Sequence, residues 1–333
     1  MKLKNIKFGI FCALVILFQI ISCEKSDEEG EGWTEIPGFK GRDIRIIHAF
    51  ESSIYVAADS IYVSSDDAKT WKSISTGLPN LPYWWVRSFG SLSVNDTTYL
   101  FVGTFVDGIY RSADKGLSWQ TVYDKDSTFI TALGSCEGVI YAAVSQHLNW
   151  YTKLCYSTDR GQNWIESAHI QQTVATDFVS LGHTVFISTE HRGVMISRDN
   201  GQTWTSTWNS ETQTSDVGLF TERIDALTTN GKDIFAIGLN NIYYSTDGGY
   251  QWVTVVPESF SPTGNDAAMK DSTIIVYRYV SHNYGRTWLD VSEGLPHPNL
   301  LYPYVSALTI FGNKVYFGLG TDGLWVNTSI IKH

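Results

Sequence analysis

The sequence is poor in cysteine and in basic residues, and each shortage excludes a class of protein. Its 333 residues include 4 Cys, and no Cys-x-x-Cys or His-Glu-x-x-His spacing occurs. The chain therefore offers no zinc motif, and we expect neither a metal nor a cofactor. The 24 Lys and Arg are outnumbered by 34 Asp and Glu, which gives a formal net charge of −10. Because nucleic acids bind basic surfaces, they are not an expected partner.

Long apolar runs and helical periodicity are also scarce. The one apolar run of note, Phe8–Ile21, follows a basic start and has the length of a signal peptide, too short for a comfortable membrane span. Ile20-Ile21-Ser22-Cys23 resembles a bacterial lipobox, which implies cleavage before Cys23 and lipid on its sulfur. The alternative is an ordinary secretory signal with a chance cysteine.

An acidic, flexible stretch follows Cys23 and resembles the surface-export signal of Bacteroidota lipoproteins; the alternative is a solvated linker. We therefore expect a signal peptide at 1–22, a tether at 23–32 and a folded domain at 33–333. The predicted protein is an outer-membrane lipoprotein, monomeric and exposed at the cell surface.

What the sequence does contain is one repeated motif, Ser-x-Asp-x-Gly-x-x-Trp. Four copies match it, beginning at Ser112, Ser157, Ser197 and Ser245. Two further copies are degenerate: 65–71 has Ala for Gly, and 281–288 has Asn for Asp. We assign the acidic position of the six copies to Asp67, Asp114, Asp159, Asp199, Asp247 and Asn283.

Each copy lies between two short β-branched or aromatic runs, which is typical of a hairpin. The Asp carboxylate can accept backbone N–H bonds within the turn, and Gly supplies a positive φ. The Trp offers a large apolar face for packing between sheets. Because one active site does not need six similar copies, we interpret the repeated Asp as structural.

This motif resembles the Asp-box, or BNR repeat, of the sialidase-like β-propellers. That superfamily includes sialidases, xyloglucan hydrolases, sortilin-type receptors and photosystem II assembly factors. The resemblance covers nearly all of the chain after the tether and implies an all-β propeller. It implies no single activity, since the same repeats occur in enzymes and in binding proteins. The layout is most similar to the seven-bladed assembly-factor propellers.

Blade count follows from spacing. The motif tryptophans are 48, 45, 40, 48 and 36 residues apart, and each interval fits a four-stranded blade. Seven candidate first strands accompany six motifs, and the last group, 305–327, has only three strands. We predict that 32–37 supplies its fourth strand and closes a ring of seven blades. Six or eight blades are the alternatives, because 265–281 is short and irregular.

Two cysteines remain in the predicted domain, both in one blade. Cys136 is expected after the first strand and Cys155 on the third. An intervening strand separates them by roughly 10 Å, too far for a disulfide, so we expect two free thiols.

The first residues of the predicted first strands are polar, unlike the apolar residues after them, and should face a central channel. They are Arg45, Arg87, Thr131, Thr176 or Asp177, Asp225, Asp266 and Ser306. Loops expected on the same face add aromatic and charged residues, namely Trp84, Trp85, Trp150, Tyr151, Glu190, Arg192, Arg278 and Tyr304. Rings beside Arg and Asp suit sugars, or equally an extended peptide. Alternatively, the rings cap the channel or pack between blades.

Three functions are compatible with these residues. The first is a non-catalytic surface propeller that binds a glycan or an envelope protein. The second is a glycoside hydrolase. Resemblance to sialidases would place an arginine triad on the substrate carboxylate, made of Arg45, Arg87 and either Arg278 or Arg192. It would assign catalysis to Tyr304, Glu190 and Asp225. The family's Phe-Arg-Ile-Pro motif, however, is absent. Resemblance to xyloglucanases would pair Asp225 with Asp266, Asp177 or Glu190. The third is an assembly-factor-like docking scaffold.

Overall fold

The computed structural model describes residues 32–78, 86–124, 128–146, 151–208, 216–219, 223–238, 241–255, 266–296 and 305–331. The signal peptide, Cys23, most of the tether, and the predicted contact residues Trp84, Trp85, Trp150 and Tyr304 lie outside these ranges. None of the described residues forms a helix, so none provides an apolar helix long enough to cross a membrane.

The described residues form seven antiparallel sheets of four strands each, which confirms the predicted propeller. Blade 1 comprises Ile46–Phe50, Ser53–Ala57, Ile61–Ser64 and Lys72–Ser73. Blade 2 comprises Val86–Val94, Thr97–Thr104, Ile109–Ser112 and Gln120–Tyr123. Blade 3 comprises Thr128–Cys136, Val139–Gln146, Tyr151–Ser157 and Ile165–Gln171. Blade 4 comprises Ala175–Leu181, Thr184–Thr189, Val194–Ser197 and Thr205–Ser206. Blade 5 comprises Ile224–Thr229, Ile234–Gly238, Ile242–Ser245 and Val253–Val255. Blade 6 comprises Ala267–Lys270, Thr273–Val276, Tyr279–Ser281 and Leu289–Asp290. Blade 7 comprises Ala307–Phe311, Lys314–Gly318, Leu324–Asn327 and Trp33–Glu35.

The N-terminal strand closes the ring, as predicted. Trp33–Glu35 pairs antiparallel with the third strand of blade 7, with Trp33 opposite Asn327. The Trp33 indole donates to the carbonyl of Val291 in blade 6 at 2.5 Å and packs on Phe317, with ring centroids 4.3 Å apart. The first strands contact one another in chain order, and that of blade 7 contacts that of blade 1. The two ends of the domain therefore share one blade.

The repeated motif is a hydrogen-bonded turn between the third and fourth strands. In blade 4, Asp199 accepts bonds from the Ser197 hydroxyl and from the Thr203 amide, both at 2.8 Å. The Ser197 hydroxyl in turn accepts the amide of Gly201 at 2.8 Å. Equivalent bonds occur in the motifs that contain Asp114, Asp159, Asp247 and Asn283.

The assignment of Asp67 to the first motif is wrong, because Asp66 takes that position. The motif begins one residue earlier, at Ser64, whose hydroxyl donates to Asp66 at 2.8 Å. Asp66 also accepts the amide of Thr70 at 2.9 Å. Asp67 instead forms an ion pair with Lys314 of blade 7 at 2.7 Å.

The hydrophobic core lies in the layers between neighbouring blades. Tyr141 of blade 3 and Phe178 of blade 4, for example, share one buried cluster. The motif glycines allow this close approach: a Cβ on Gly201 would lie 2.6 Å from the Tyr141 ring. Cys136 and Cys155 are both buried and are not joined by a disulfide, as the strand spacing indicated.

Candidate functional site

A β-bulge near the start of four first strands turns one polar side chain away from the regular face of the sheet. The pairing register shifts around Arg87, Thr131, Thr176 and Asp225, each of which is the extra residue of its bulge. Bulges commonly turn a side chain away from the regular face of a sheet. The contrast seen in the sequence, one polar residue ahead of an apolar strand, therefore has a local structural cause.

The first strands of all seven blades enclose a central cavity of about 320 Å³, hereafter the channel. Its volume falls within the usual range of ligand pockets and would hold roughly ten water molecules. Seven of the predicted residues line it, namely Arg45, Arg87, Thr131, Thr176, Asp177, Asp266 and Ser306. Asp225 does not line the channel.

One side of the channel is basic. Arg45 forms an ion pair with Asp43 at 2.5 Å, while its Nε atom is buried without a hydrogen-bond partner. The exposed Arg87 guanidinium lies 4.9 Å from the centre of the Phe105 ring. Partial burial, and then the charge of Arg45, lower the pKa of Arg87, so the two guanidinium groups are neighbours. Among the described residues, no carboxylate pairs with Arg87.

The other side carries two carboxyl groups that retain some exposure to the channel but lie deep in the ring. Asp177 accepts the amide of Phe178 at 2.7 Å and that of Leu227 in the next blade at 3.1 Å. Burial raises the pKa of Asp177 to about 6, although these two hydrogen bonds act to lower it. Burial, with a smaller contribution from the charge of Asp177, raises the pKa of Asp266 to about 7. Each carboxyl is thus ready to exchange a proton near neutral pH.

Several channel residues also tie neighbouring blades together, which the sequence did not indicate. Asp266 accepts the Leu308 amide of blade 7 at 2.7 Å. The hydroxyls of Ser88, Thr176 and Ser306 donate to the carbonyls of Ile130, Ile224 and Ile44, each in the following blade. Because the inner edge of a first strand has unpaired backbone groups, these bonds satisfy donors and acceptors that the channel would otherwise leave exposed.

The remaining predicted carboxylates meet an arginine. The Asp225 side chain is only 8% exposed and accepts a 2.7 Å bond from Arg223. Hydrogen bonding to Asp225 is the main influence that raises the pKa of Arg223, and Glu190 adds to it. Glu190 and Arg192 lie in the turn between the second and third strands of blade 4. Asp225 is therefore paired with Arg223, and Glu190 adds negative charge near the same cation.

Two other predicted contact residues lie away from the channel lining. Arg278 follows the second strand of blade 6 and is within ion-pair distance of Asp290, at 3.1 Å. Tyr151 begins the third strand of blade 3, where its ring stacks on His169 with centroids 6.0 Å apart. The structure does not bring either of them together with Arg45 and Arg87.

Three residues near the channel were missed by sequence reasoning. Phe105, beneath Arg87, packs on Phe129 with ring centroids 4.2 Å apart. His48 lines the channel, bonds to Ser91 at 2.9 Å, and has a pKa lowered to about 4 by burial, so it is neutral at pH 7. An aromatic residue in the loop at 105–108 was the available signal for Phe105; nothing in the sequence marked His48.

Comparisons with known proteins agree with this architecture. A family model described as the BNR/Asp-box repeat matches residues 195–206. No curated protein sequence matches the chain significantly.

Many solved structures share the fold. The GH74 xyloglucanase from Xanthomonas campestris has a TM-score of 0.61 at 14% identity, covering 89% of this chain and 54% of that one. PorZ, a bacterial surface component of the type-IX secretion system of Porphyromonas gingivalis, has a TM-score of 0.64 at 12% identity, covering 85% and 46%. YCF48 from Cyanidioschyzon merolae has a TM-score of 0.60 at 13% identity, covering 89% and 98%.

At these identities the likeness concerns the fold alone, and this chain spans about half the length of the xyloglucanase and of PorZ. The fold, the turn bonds and the family-model match together identify the chain as a seven-bladed β-propeller built on BNR/Asp-box repeats.

Proposed function

We propose that this protein is a non-catalytic binding propeller held at the outer cell surface, with its ligand at the channel. The observation that carries the proposal is Arg87: its guanidinium is exposed at the channel, supported by Phe105 and not paired with any described carboxylate. An arginine held on an aromatic ring presents several donors in a fixed plane, which suits recognition of a polar or anionic partner.

The ligand class is a glycan or an envelope protein. Sugars combine hydroxyls, which take bonds from Arg, Thr and Asp, with C–H faces that pack on rings such as Phe105 and Phe129. A protein segment could use the same groups. Lipid on Cys23 would anchor the propeller, and the acidic tether would let it reach partners at the cell surface. A surface location is consistent with the likeness in fold to PorZ, a bacterial surface component.

Carboxylate engagement argues against a hydrolase. Hydrolysis of a glycosidic bond needs one carboxyl to donate a proton and a second to act as base or nucleophile. Asp225 is bonded to Arg223, and Asp266 accepts two backbone amides. The raised pKa of Asp266 is the one feature that would suit a general acid, so a glycoside hydrolase remains the alternative function. An assembly-factor-like docking scaffold is the second alternative, supported by the full-length likeness to YCF48.

A glycan array, combined with a reducing-sugar release assay on the same glycans, tests the proposal. Binding without sugar release, lost in Arg87→Ala and retained in Arg286→Ala, would support it; Arg286 is exposed in the motif of blade 6 and does not line the channel. Sugar release that Asp266→Asn abolishes would establish the hydrolase instead. If both assays are silent, capture of an envelope protein by the wild type, absent with Arg87→Ala, would indicate the protein-binding form of the proposal.

A further inference from the structure

The charges of the channel are separated onto opposite walls. Arg45 and Arg87 belong to blades 1 and 2, and Asp177 and Asp266 to blades 4 and 6. In a ring of seven, blade 5 stands opposite the boundary between blades 1 and 2. The two pairs therefore face each other across the same cavity.

The two aspartates hold equivalent positions. Each accepts the amide of the next residue, Phe178 or Ala267, with one carboxyl oxygen. Each uses the other oxygen to accept the amide of Leu227 or Leu308 in the following blade. The same local geometry thus aims two carboxyl groups at the channel, two blades apart. They are close enough for the charge of Asp177 to raise the pKa of Asp266.

Neither carboxyl group is balanced by a cation. Among the described residues, no Lys, Arg or His lies within ion-pair distance of Asp177 or Asp266. A carboxylate can accept about four hydrogen bonds, and each aspartate uses two for backbone amides. Both therefore retain acceptor capacity, and a buried negative charge without a partner is stabilised by any cation that reaches it.

The opposite wall of the channel carries hydrogen-bond donors that lack acceptors. Arg45 pairs with Asp43 through Nη2, but its Nε atom is buried without a partner. No described carboxylate pairs with the Arg87 guanidinium. Planar guanidinium groups bind carboxylates through paired N–H bonds. A cavity of about 320 Å³ between the two walls leaves room for a small molecule.

We propose that the channel binds a zwitterionic group, with its carboxylate at Arg45 and Arg87 and its ammonium at Asp177 and Asp266. This inference rests on the proposed binding function and specifies the chemistry of the ligand: an amino-acid-like group, free or at the end of a larger partner. A purely anionic ligand would leave the two aspartates unpaired, and a purely cationic one would leave the arginines unpaired.

Calorimetric titration of the purified protein tests this assignment with α,ω-amino acids of four, six and eight carbons. Hexanoate and hexylamine, which each carry one of the two charges, serve as matched ligands. The best-fitting amino acid should bind at least about tenfold more tightly than either singly charged ligand. Asp266→Asn and Arg87→Gln should each weaken it by about tenfold, whereas Arg286→Gln should leave it unchanged.

Two outcomes would overturn the inference. Equal binding of hexanoate and the amino acids, unaffected by Asp266→Asn, would show a site for anions alone. Absence of binding by every amino acid at millimolar concentration would show that the two walls do not act together. Circular dichroism of each variant would show whether it has kept its sheet structure, and Asp177→Asn provides a second carboxyl variant if Asp266→Asn unfolds.

The outcome of the glycan-array and capture assays separates this inference from the proposed function. If Arg87→Ala abolishes binding of a macromolecular partner while no amino acid binds, the binding propeller stands and the zwitterion site is wrong. If Arg87→Ala changes neither measurement, both proposals fail.

Discussion

The carboxylate of Asp266 in blade 6 accepts the backbone amide of Leu308 in blade 7 at 2.7 Å, across the boundary between two blades. Asp177 makes the same contact to Leu227 between blades 4 and 5 at 3.1 Å. These side chains therefore combine two roles: they face the channel, and they join separate sheets of the ring. The first role concerns the ligand, and the second makes the stability of the ring sensitive to pH.

Asp266→Asn should become more stable relative to the wild type as the pH rises from 4 to 7. Burial raises the pKa of Asp266 from 3.8 to about 7, so the folded wild type binds more protons than the unfolded chain within this window. Its free energy of unfolding therefore falls with rising pH, on the order of a few kcal/mol in total. Asn cannot titrate, and its single carbonyl loses one amide bond at every pH.

Thermal denaturation of both proteins at pH 4, 5, 6 and 7 measures the difference. The titration of His48, whose pKa is lowered to about 4, acts in the opposite direction in both proteins and cancels. A difference in melting temperature that stays constant across this range would show that Asp266 titrates normally.

Gly201→Ala should destabilise the protein by about 2–4 kcal/mol. Gly201 has a φ of 81°, and its Cβ would lie 2.6 Å from Tyr141 in the neighbouring blade, so the change adds backbone strain to overpacking. Gly182→Ala is the matched control, because its φ is 56° but no atom lies within 4 Å of the new Cβ. In denaturant unfolding, the control should lose about 1 kcal/mol of stability from backbone strain alone. Equal losses in the two variants would mean that the contact between blades at Gly201 does not affect stability.

Ala68→Gly should stabilise the first motif by about 1 kcal/mol. Ala68 occupies the glycine position of that motif with a φ of 65°, a conformation that costs a side-chain residue about 1–2 kcal/mol. The gain exceeds the added freedom of glycine in the unfolded chain. Ala168→Gly, within the strand Ile165–Gln171, should instead destabilise. A lower melting temperature for Ala68→Gly would contradict this interpretation.

Trp33→Ala should weaken closure of the ring, with a loss of about 3–5 kcal/mol. Trp33 is 9% exposed, donates to Val291 and packs on Phe317. Thr34→Ala, on the same short strand but exposed, is the control. Limited proteolysis combined with denaturant unfolding should show early loss of the N-terminal strand in Trp33→Ala alone. If both variants unfold like the wild type, the strand is not what holds the ring shut.

The fold was predictable because repetition averages out local ambiguity. The orphan strand at Trp33 could be recognised because a Trp immediately precedes each of the six other fourth strands. A single copy is less secure: the run 64–67, Ser-Ser-Asp-Asp, allows two registers, and only the hydrogen bonds select Asp66 over Asp67.

The channel residues were predictable in part, for a physical reason. A polar residue ahead of an apolar strand marked Arg45 and Arg87, because Arg45 precedes its strand and Arg87 is the extra residue of a bulge, so neither joins the packed face. The contacts of Asp177 with Leu227 and of Asp266 with Leu308 depend on how neighbouring blades are placed in space. No pattern along the chain encodes those distances.

A glycan array with a sugar-release readout, comparing wild type, Arg87→Ala and Arg286→Ala, tests directly whether the channel is a non-catalytic binding site. The wild type and Arg286→Ala should bind the same glycans, Arg87→Ala should not bind them, and no sugar should be released. Glycan binding that survives Arg87→Ala, or sugar release that Asp266→Asn abolishes, would contradict a non-catalytic binding site at Arg87.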